Sequence, residues 1–222
     1  MDMGQEINLL DRYPRSNRPI EERGSQITDE DRKIARRFDL EYFDGDRLHG
    51  YGGYNYHPRF WQETVMRFRD HYHLHPDARV LDVGCAKGFM IHDFKELMPQ
   101  LQISGLDLSA YGVTHAKEDV KSLLRVGNAT HLPYEDKAFD LVISINTIHN
   151  LSLPECKEAL REIQRVSGGR AFITVDAWRN ESERISLLKW NLTALTYMHV
   201  DDWKTCFDEV GYTGDYYWFI AE

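Results

Sequence analysis

Gly84, Ala86 and Gly88 stand at the first, third and fifth positions of a short turn that follows the apolar run Arg79–Val83. An apolar strand that stops in a small-residue turn and restarts as a helix opens a nucleotide pocket in an α/β sheet. Small residues let a ligand approach the backbone, and the helix start offers free N–H groups. A dinucleotide turn needs glycines at the first, third and sixth positions. Phe89 fills the sixth position here, which argues against a nicotinamide-dependent oxidoreductase. Asp107 ends the next apolar run, 23 residues after Gly84. That is near the ~20-residue spacing of an acid that binds a ribose diol. A carboxylate there accepts from both hydroxyls through charge-assisted bonds.

Two further blocks follow in order. The first is Val126-Gly127-Asn128-Ala129-Thr130-His131-Leu132-Pro133-Tyr134, leading into Phe139-Asp140-Leu141-Val142. The second is Ser144-Ile145-Asn146-Thr147-Ile148-His149-Asn150-Leu151 at the end of a fourth apolar run. With the glycine turn these blocks resemble the class I S-adenosylmethionine (SAM) methyltransferases, in particular the small-molecule, ubiquinone-biosynthesis type. The resemblance covers roughly residues 78–177. It implies SAM as cofactor, with S-adenosylhomocysteine (SAH) as product, and no metal.

Residue by residue, the resemblance implies cofactor contacts at Gly84, Ala86, Gly88, Asp107, Leu108, Asn128, Ala129 and Asn146. Asn128 is the position that meets the adenine amino group, and the N–H after it meets a ring nitrogen. Asp82 is expected to hold the turn through backbone N–H groups. Ala86 stands where the family usually has glycine, a change that costs little unless the backbone needs positive φ. Asn146, His149 and Asn150 are expected near the chemistry, since ligands bind outside the carboxyl ends of the strands. His149 is the candidate general base, with a packed or backbone-bonded histidine as the alternative.

These residues need a sheet to position them. The apolar runs Arg79–Val83, Gln102–Leu106, Leu123–Val126, Phe139–Ile145, Ala171–Val175 and Tyr216–Ile220 predict strands covered on both faces. Helical patterns lie between them. One carries Phe89, Met90, Phe94 and Leu97. Another starts at Pro154 and ends before Gly168-Gly169, and a third is capped by Asp201 and closed by Gly211. Residues 180–200 predict an amphipathic helix with Ile185, Leu188, Leu192 and Leu195 on one side. The alternation predicts an α/β, Rossmann-like, doubly wound three-layer sandwich. By resemblance its sheet is mostly parallel with an antiparallel C-terminal strand. Residues 76–222 form the expected core, and residues 1–75 an N-terminal extension, lid and helix.

The segment from Asp44 to Trp61 is rich in glycine and aromatics and is expected to act as a lid. Tyr51, Tyr54 or Tyr56 would contact the SAM carboxylate or the substrate, and Arg59 an anionic group. The alternative is a structured loop with its aromatics packed on the core. His71, His73 and His75 lack partners at ligand spacing and are expected to be a solvated helix end. Trp190, Trp203 and Trp218 are expected to line the core or the acceptor pocket.

Composition narrows the acceptor. The net charge of −9 disfavours a partner whose phosphates must be neutralised. The basic residues Arg32, Lys33, Arg36 and Arg37 are interleaved with acids and read as a solvated face. Three scattered cysteines argue for reduced thiols in a cytoplasmic compartment. No apolar run approaches the ~20 residues of a membrane span. The expectation is an enzyme moving a methyl group to an O or N atom of a small metabolite, without nucleic-acid or membrane partners, as monomer or homodimer. A non-catalytic SAM-binding regulatory or partner subunit is the alternative.

Overall fold

The computed structural model describes residues 4–14, 19–52 and 55–221. Four helices come first: α1 (Ile20–Gln26), α2 (Asp29–Ala35), α3 (Leu40–Phe43) and α4 (Gln62–Tyr72). The alternating part follows as β1 (Arg79–Val83), α5 (Phe89–Leu97), β2 (Gln102–Asp107), α6 (Ala110–Thr114), β3 (Leu124–Val126) and β4 (Leu141–Ile145). It continues as α7 (Leu153–Ser167), β5 (Ala171–Trp178), α8 (Glu181–Trp190), β6 (Met198–His199), α9 (Val200–Val210) and β7 (Asp215–Phe219).

The sheet runs β3-β2-β1-β4-β5, with β6 and β7 both paired to β5. Its two faces bury separate sets of side chains, as the period of two dictates. Leu81, Val83, Val142, Ile173 and Val175 pack with α7 and α9. Val80, Ile103, Leu141, Ile143 and Phe172 pack with α4 and α5. Trp203 and Trp218 belong to the first set, so they are core residues.

Three local expectations need correction. The C-terminal strand is parallel, not antiparallel: β7 pairs with β5 in the register Phe172 to Asp215 through Asp176 to Phe219. The chain reaches it through the helical crossover of α9, which returns to the same end of the sheet as a parallel neighbour requires. The outer side of β7 is covered by the N-terminal segment. Ile7 N–H donates to Tyr216 O at 2.9 Å, and Tyr216 N–H donates to Gln5 O at 3.0 Å. That pairing blunts an otherwise open edge.

The helix expected over residues 180–200 stops at Trp190, with Asn191 extended beyond it. Leu192 is buried outside the helix, while Ile185, Leu188 and Leu195 are exposed, so the four leucine and isoleucine positions form no stripe. The cap of α9 is His199, whose ring accepts from Asp201 N–H at 3.2 Å, and Asp201 lies in the first turn. Gly168 and Gly211 close α7 and α9 in left-handed conformations as expected.

Helices α1 to α3 form a cap joined to α8 and the 191–196 loop. Buried Arg23 donates to Arg47 O and Gly50 O, both at 3.3 Å, and its guanidinium lies over the rings of Tyr51 and Trp190. Arg32 donates to Asn191 O and Arg36 to Thr193 O. Half of the basic cluster therefore works as cap fastening rather than as a solvated face. No helix among the described residues is long and apolar enough to cross a membrane.

Candidate functional site

Polar groups converge at the carboxyl edge of β1, β2 and β4. The turn after β1 is held by the neighbouring strand: Gly84 N–H donates to Leu106 O at 2.7 Å, and Gly88 N–H closes back on Cys85 O at 2.8 Å. Gly84, Ala86 and Gly88 all have positive φ, at 88°, 50° and 72°. A Cβ on Gly84 would lie 2.0 Å from Thr147 Oγ1, so the turn after β1 and the turn after β4 meet at this glycine. Ala86 occupies the left-handed region that favours glycine, which is the condition under which its Cβ is costly.

Asp107 ties the turn to the end of β2. Its Oδ2 accepts from Ala86 N–H and its Oδ1 from Ser109 N–H, each at 2.7 Å. Burial pushes its carboxyl up, and the two backbone bonds oppose that shift. Each oxygen keeps a second lone pair for a further donor. The turn-holding role expected of Asp82 therefore falls to Asp107. Asp82 is buried beneath the turn, and burial together with the Asp107 charge pushes its carboxyl up to about 8.

Beside Asp107, Leu108 is 55% exposed and presents an apolar side chain at the strand ends. Ala129 is buried, and Asn128 uses its Oδ1 to accept from Thr130 N–H at 3.0 Å. A glycine without room for a Cβ at Gly84, a second left-handed glycine at Gly88, a carboxylate at the strand end and an exposed leucine next to it are suited to an adenosyl ligand.

The end of β4 is built differently. Asn146 has φ 50°, a conformation that asparagine tolerates better than most side chains. It is fixed by Thr174 on β5, which donates from Oγ1 to Asn146 Oδ1 and accepts the Asn146 N–H, both at 2.9 Å. Asn150 Nδ2 donates to Asn146 O at 3.3 Å, and its own Oδ1 is buried without a hydrogen-bond partner among the described residues. His149 is buried. Its Nδ1 accepts from Asp176 N–H at 2.9 Å, and its carbonyl accepts from Leu195 and Thr196. Burial pushes the imidazole down to about 3. A neutral ring whose Nδ1 lone pair is already bonded is an anchor between the β4 turn and β5, which matches the backbone-bonded alternative rather than the general base.

The expected lid residues separate. Tyr51 is half-buried in the cap, and its hydroxyl accepts from Leu192 N–H at 2.8 Å, fastening the cap to the 191–196 loop. Tyr54 lies outside the described residues. Tyr56 packs against Phe89 and His92 and donates to Asp93 Oδ1 at 2.7 Å, on the flank of α5. Its phenol is pushed up to about 12 by burial and the Asp93 charge. Arg59 is exposed over the Phe60 ring.

Sequence reasoning missed Thr174 and Asp176, which read as interior strand residues, and the pair Lys87 and Asp44. Lys87 lies inside the glycine turn, but nothing local marks its partner 43 residues earlier. Of the three alternating histidines, His71 pairs with Asp215 at 2.9 Å and His75 with Asp77. His92, Glu96 and Asp119 bring ligand atoms within 4.8 Å of one another on the flank of α5, where His92 is already paired with Asp119.

The chain is similar over residues 81–173 to the family of methyltransferase domains. It is 38% identical over 116 residues to a demethylmenaquinone methyltransferase of Lactiplantibacillus plantarum, covering 49% of this chain and 47% of that one. It is 31% identical over 160 residues to the methyltransferase-like protein ECU09_1500 of Encephalitozoon cuniculi, covering 64% of this chain and 71% of the other. The chain thus spans about half the length of the demethylmenaquinone methyltransferases it matches. Among solved structures, the YcgJ protein of Bacillus subtilis shares the fold at TM-score 0.53, with 20% identity and 66% of each chain covered. The [4+2]-cyclase SpnF shares it at TM-score 0.59, with 19% identity over 81% of this chain and 72% of the cyclase. With the order of its sheet, its glycine turn and these relatives, the chain belongs to the class I SAM-dependent methyltransferase family.

Proposed function

We propose that this protein transfers a methyl group from SAM to an O or N atom of a small metabolite held between the carboxyl edge of the sheet and the α1–α3 cap. The observation that carries this reading is the convergence of the Gly84–Gly88 turn and Asp107 next to the polar end of β4. When bound, SAM supplies a methyl on a sulfonium, so its leaving group needs no further activation. Gly84 and Gly88 would let the methionine part approach the backbone, with the free N–H groups at the start of α5 toward its carboxylate. Asp107 would accept from the ribose hydroxyls. Leu108 and Ala129 would flank the adenine, and the Asn128 amide would meet its amino group.

Asn146, held by Thr174, and Asn150 would align the acceptor. Alignment to within ~3–3.5 Å and exclusion of water account for most of what such a displacement needs. His149 supports that alignment as an anchor. The demethylmenaquinone methyltransferases among the relatives support a small-molecule acceptor. A relative named as a probable tRNA methyltransferase in Mus musculus raises a nucleic acid instead. The net charge of −9 weighs against that acceptor.

The test is a calorimetric titration with SAM and SAH beside Asp107→Ala, followed by labelled methyl transfer to metabolite pools. Micromolar binding that collapses in the variant supports the reading. A folded wild type that binds neither compound overturns it. Binding without transfer to any acceptor supports the non-catalytic alternative, which the buried, already bonded His149 favours.

A further inference from the structure

Helix α3 and the residues around it bridge both rims of the glycine turn. Lys87, inside the turn and 7% exposed, places its ammonium 2.6 and 2.8 Å from the two oxygens of Asp44, just after α3. Tyr111 of α6 donates to the same carboxylate at 2.7 Å. Phe43 stacks on Tyr111 with centroids 6.0 Å apart. A Cβ on Gly112 would come within 3.1 Å of the Phe43 ring and 3.3 Å of the Ala86 carbonyl, so α3, α6 and the turn are in direct contact. At the other end of the segment, Ser109 donates to Phe38 O. Ser109 is also the residue whose N–H binds Asp107. The segment 38–44 is therefore fastened to the glycine turn on one side and to the Asp107 turn on the other.

We propose that residues 38–44 are the closing element of the cofactor pocket, and that the Lys87–Asp44 pair, braced by Tyr111, sets how fast the cofactor leaves; this rests on the SAM reading above. The ammonium is buried and Asp44 neutralises it, so opening the segment requires separating a partly desolvated pair. Turn and cap are thereby mechanically joined. A cofactor seated on the turn leaves when Asp44 lets go of Lys87. These two are positioning residues, acting on the ligand through the segment they hold.

The test is SAH dissociation from the full-length chain, followed by stopped-flow tryptophan fluorescence. Asp44→Asn and Lys87→Met are each expected to raise the dissociation rate about tenfold, the scale of a lost charge-assisted bond. The exchange Asp44→Lys with Lys87→Asp is expected to recover most of the loss. A purely structural role would lower Tm in these variants and leave the dissociation rate of the folded protein unchanged, and that result overturns the proposal. If Asp44→Asn does not fold, Tyr111→Phe decides: about threefold faster release supports closure by this pair, and an unchanged rate overturns it. A folded wild type that binds no SAH removes the SAM reading and the closure together. Binding with variant-independent release removes the closure alone.

Discussion

The half of the sheet edge proposed to hold the cofactor and the half proposed to hold the acceptor reach their geometry by different routes. In the first, the turn after β1 is held by the backbone of β2 and by Asp107, all within 24 residues of chain. In the second, Asn146 and His149 are held by Thr174 and Asp176, which lie 28 and 27 residues away on another strand. Above them, the cap is fastened by Arg32, Arg36 and Tyr51 to residues more than 140 positions away. The first geometry is set by a local motif and the second by packing between distant elements. On the proposed reading, backbone conformation and one carboxylate would suffice for a constant cofactor, and a variable acceptor site would be assembled from separate elements, each of which can change alone.

Substitutions in the two halves should therefore behave differently. Asp107→Ala carries the largest expected effect, because it removes the acceptor of Ala86 and Ser109 N–H and the proposed ribose partner together. SAM affinity should fall about 100-fold, corresponding to ~3 kcal/mol, in a calorimetric titration. A variant that keeps micromolar affinity would break the assignment of the cofactor half. Gly84→Ala puts a Cβ 2.0 Å from Thr147 Oγ1 at φ 88°, so the two halves collide where they meet. Thermal unfolding should register a loss of about 3 kcal/mol.

Two buried ionisable groups make the halves respond to pH in opposite directions. His149, in the acceptor half, is held down to about 3 in the fold. The unfolded chain takes up a proton near 6.5, so the stability this residue contributes is complete above that pH and is lost as pH falls toward 3. Over that window the wild type should lose about 1.4 kcal/mol per pH unit relative to His149→Asn. Equal pH slopes in denaturant unfolding would show that the ring is not buried as a neutral anchor.

Asp82, in the cofactor half, has the opposite sign. Its folded carboxyl is raised to about 8, so its contribution is full at low pH and is lost as pH rises from about 4 through 8. Asp82→Asn should gain on the wild type across that range. The smallest effect is expected of Ala86→Gly. Relief of the left-handed alanine outweighs the added unfolded-state entropy by about 0.5 kcal/mol, visible as a slightly raised Tm with SAM binding retained.

Most of the cofactor half was legible in the sequence, because it depends on local signals. Strand termination, small residues at fixed spacing and an acid at the next strand end are all written within one β-α-β stretch. Even there, the role expected of Asp82 passed to Asp107, since a residue on the strand beneath the turn is buried while one at the neighbouring strand end reaches its N–H groups. The acceptor half was legible only as a list of polar residue types. His149 has the right chemistry and position for a base, but its protonation depends on burial and on an N–H from β5, neither of which its neighbours in sequence reveal. Tyr51 looked like a ligand contact for the same reason, since an aromatic between glycines does not disclose that its hydroxyl ends on Leu192.

The alternation of strands and helices, the glycine turn, the acid at the end of β2 and the helix stops at Gly168 and Gly211 are written in the residues themselves. These follow from side-chain period, from the left-handed freedom of glycine and from capping chemistry, all of which act over a few residues. The parallel entry of β7 and the cover of Gln5–Ile7 on its edge come from the assembled fold. So do the end of α8 at Trp190, the neutral state of His149 and the pairing of Lys87 with Asp44. Each of these rests on desolvation or on a partner far away in the chain, and such energies exist only once the sheet has brought the elements together.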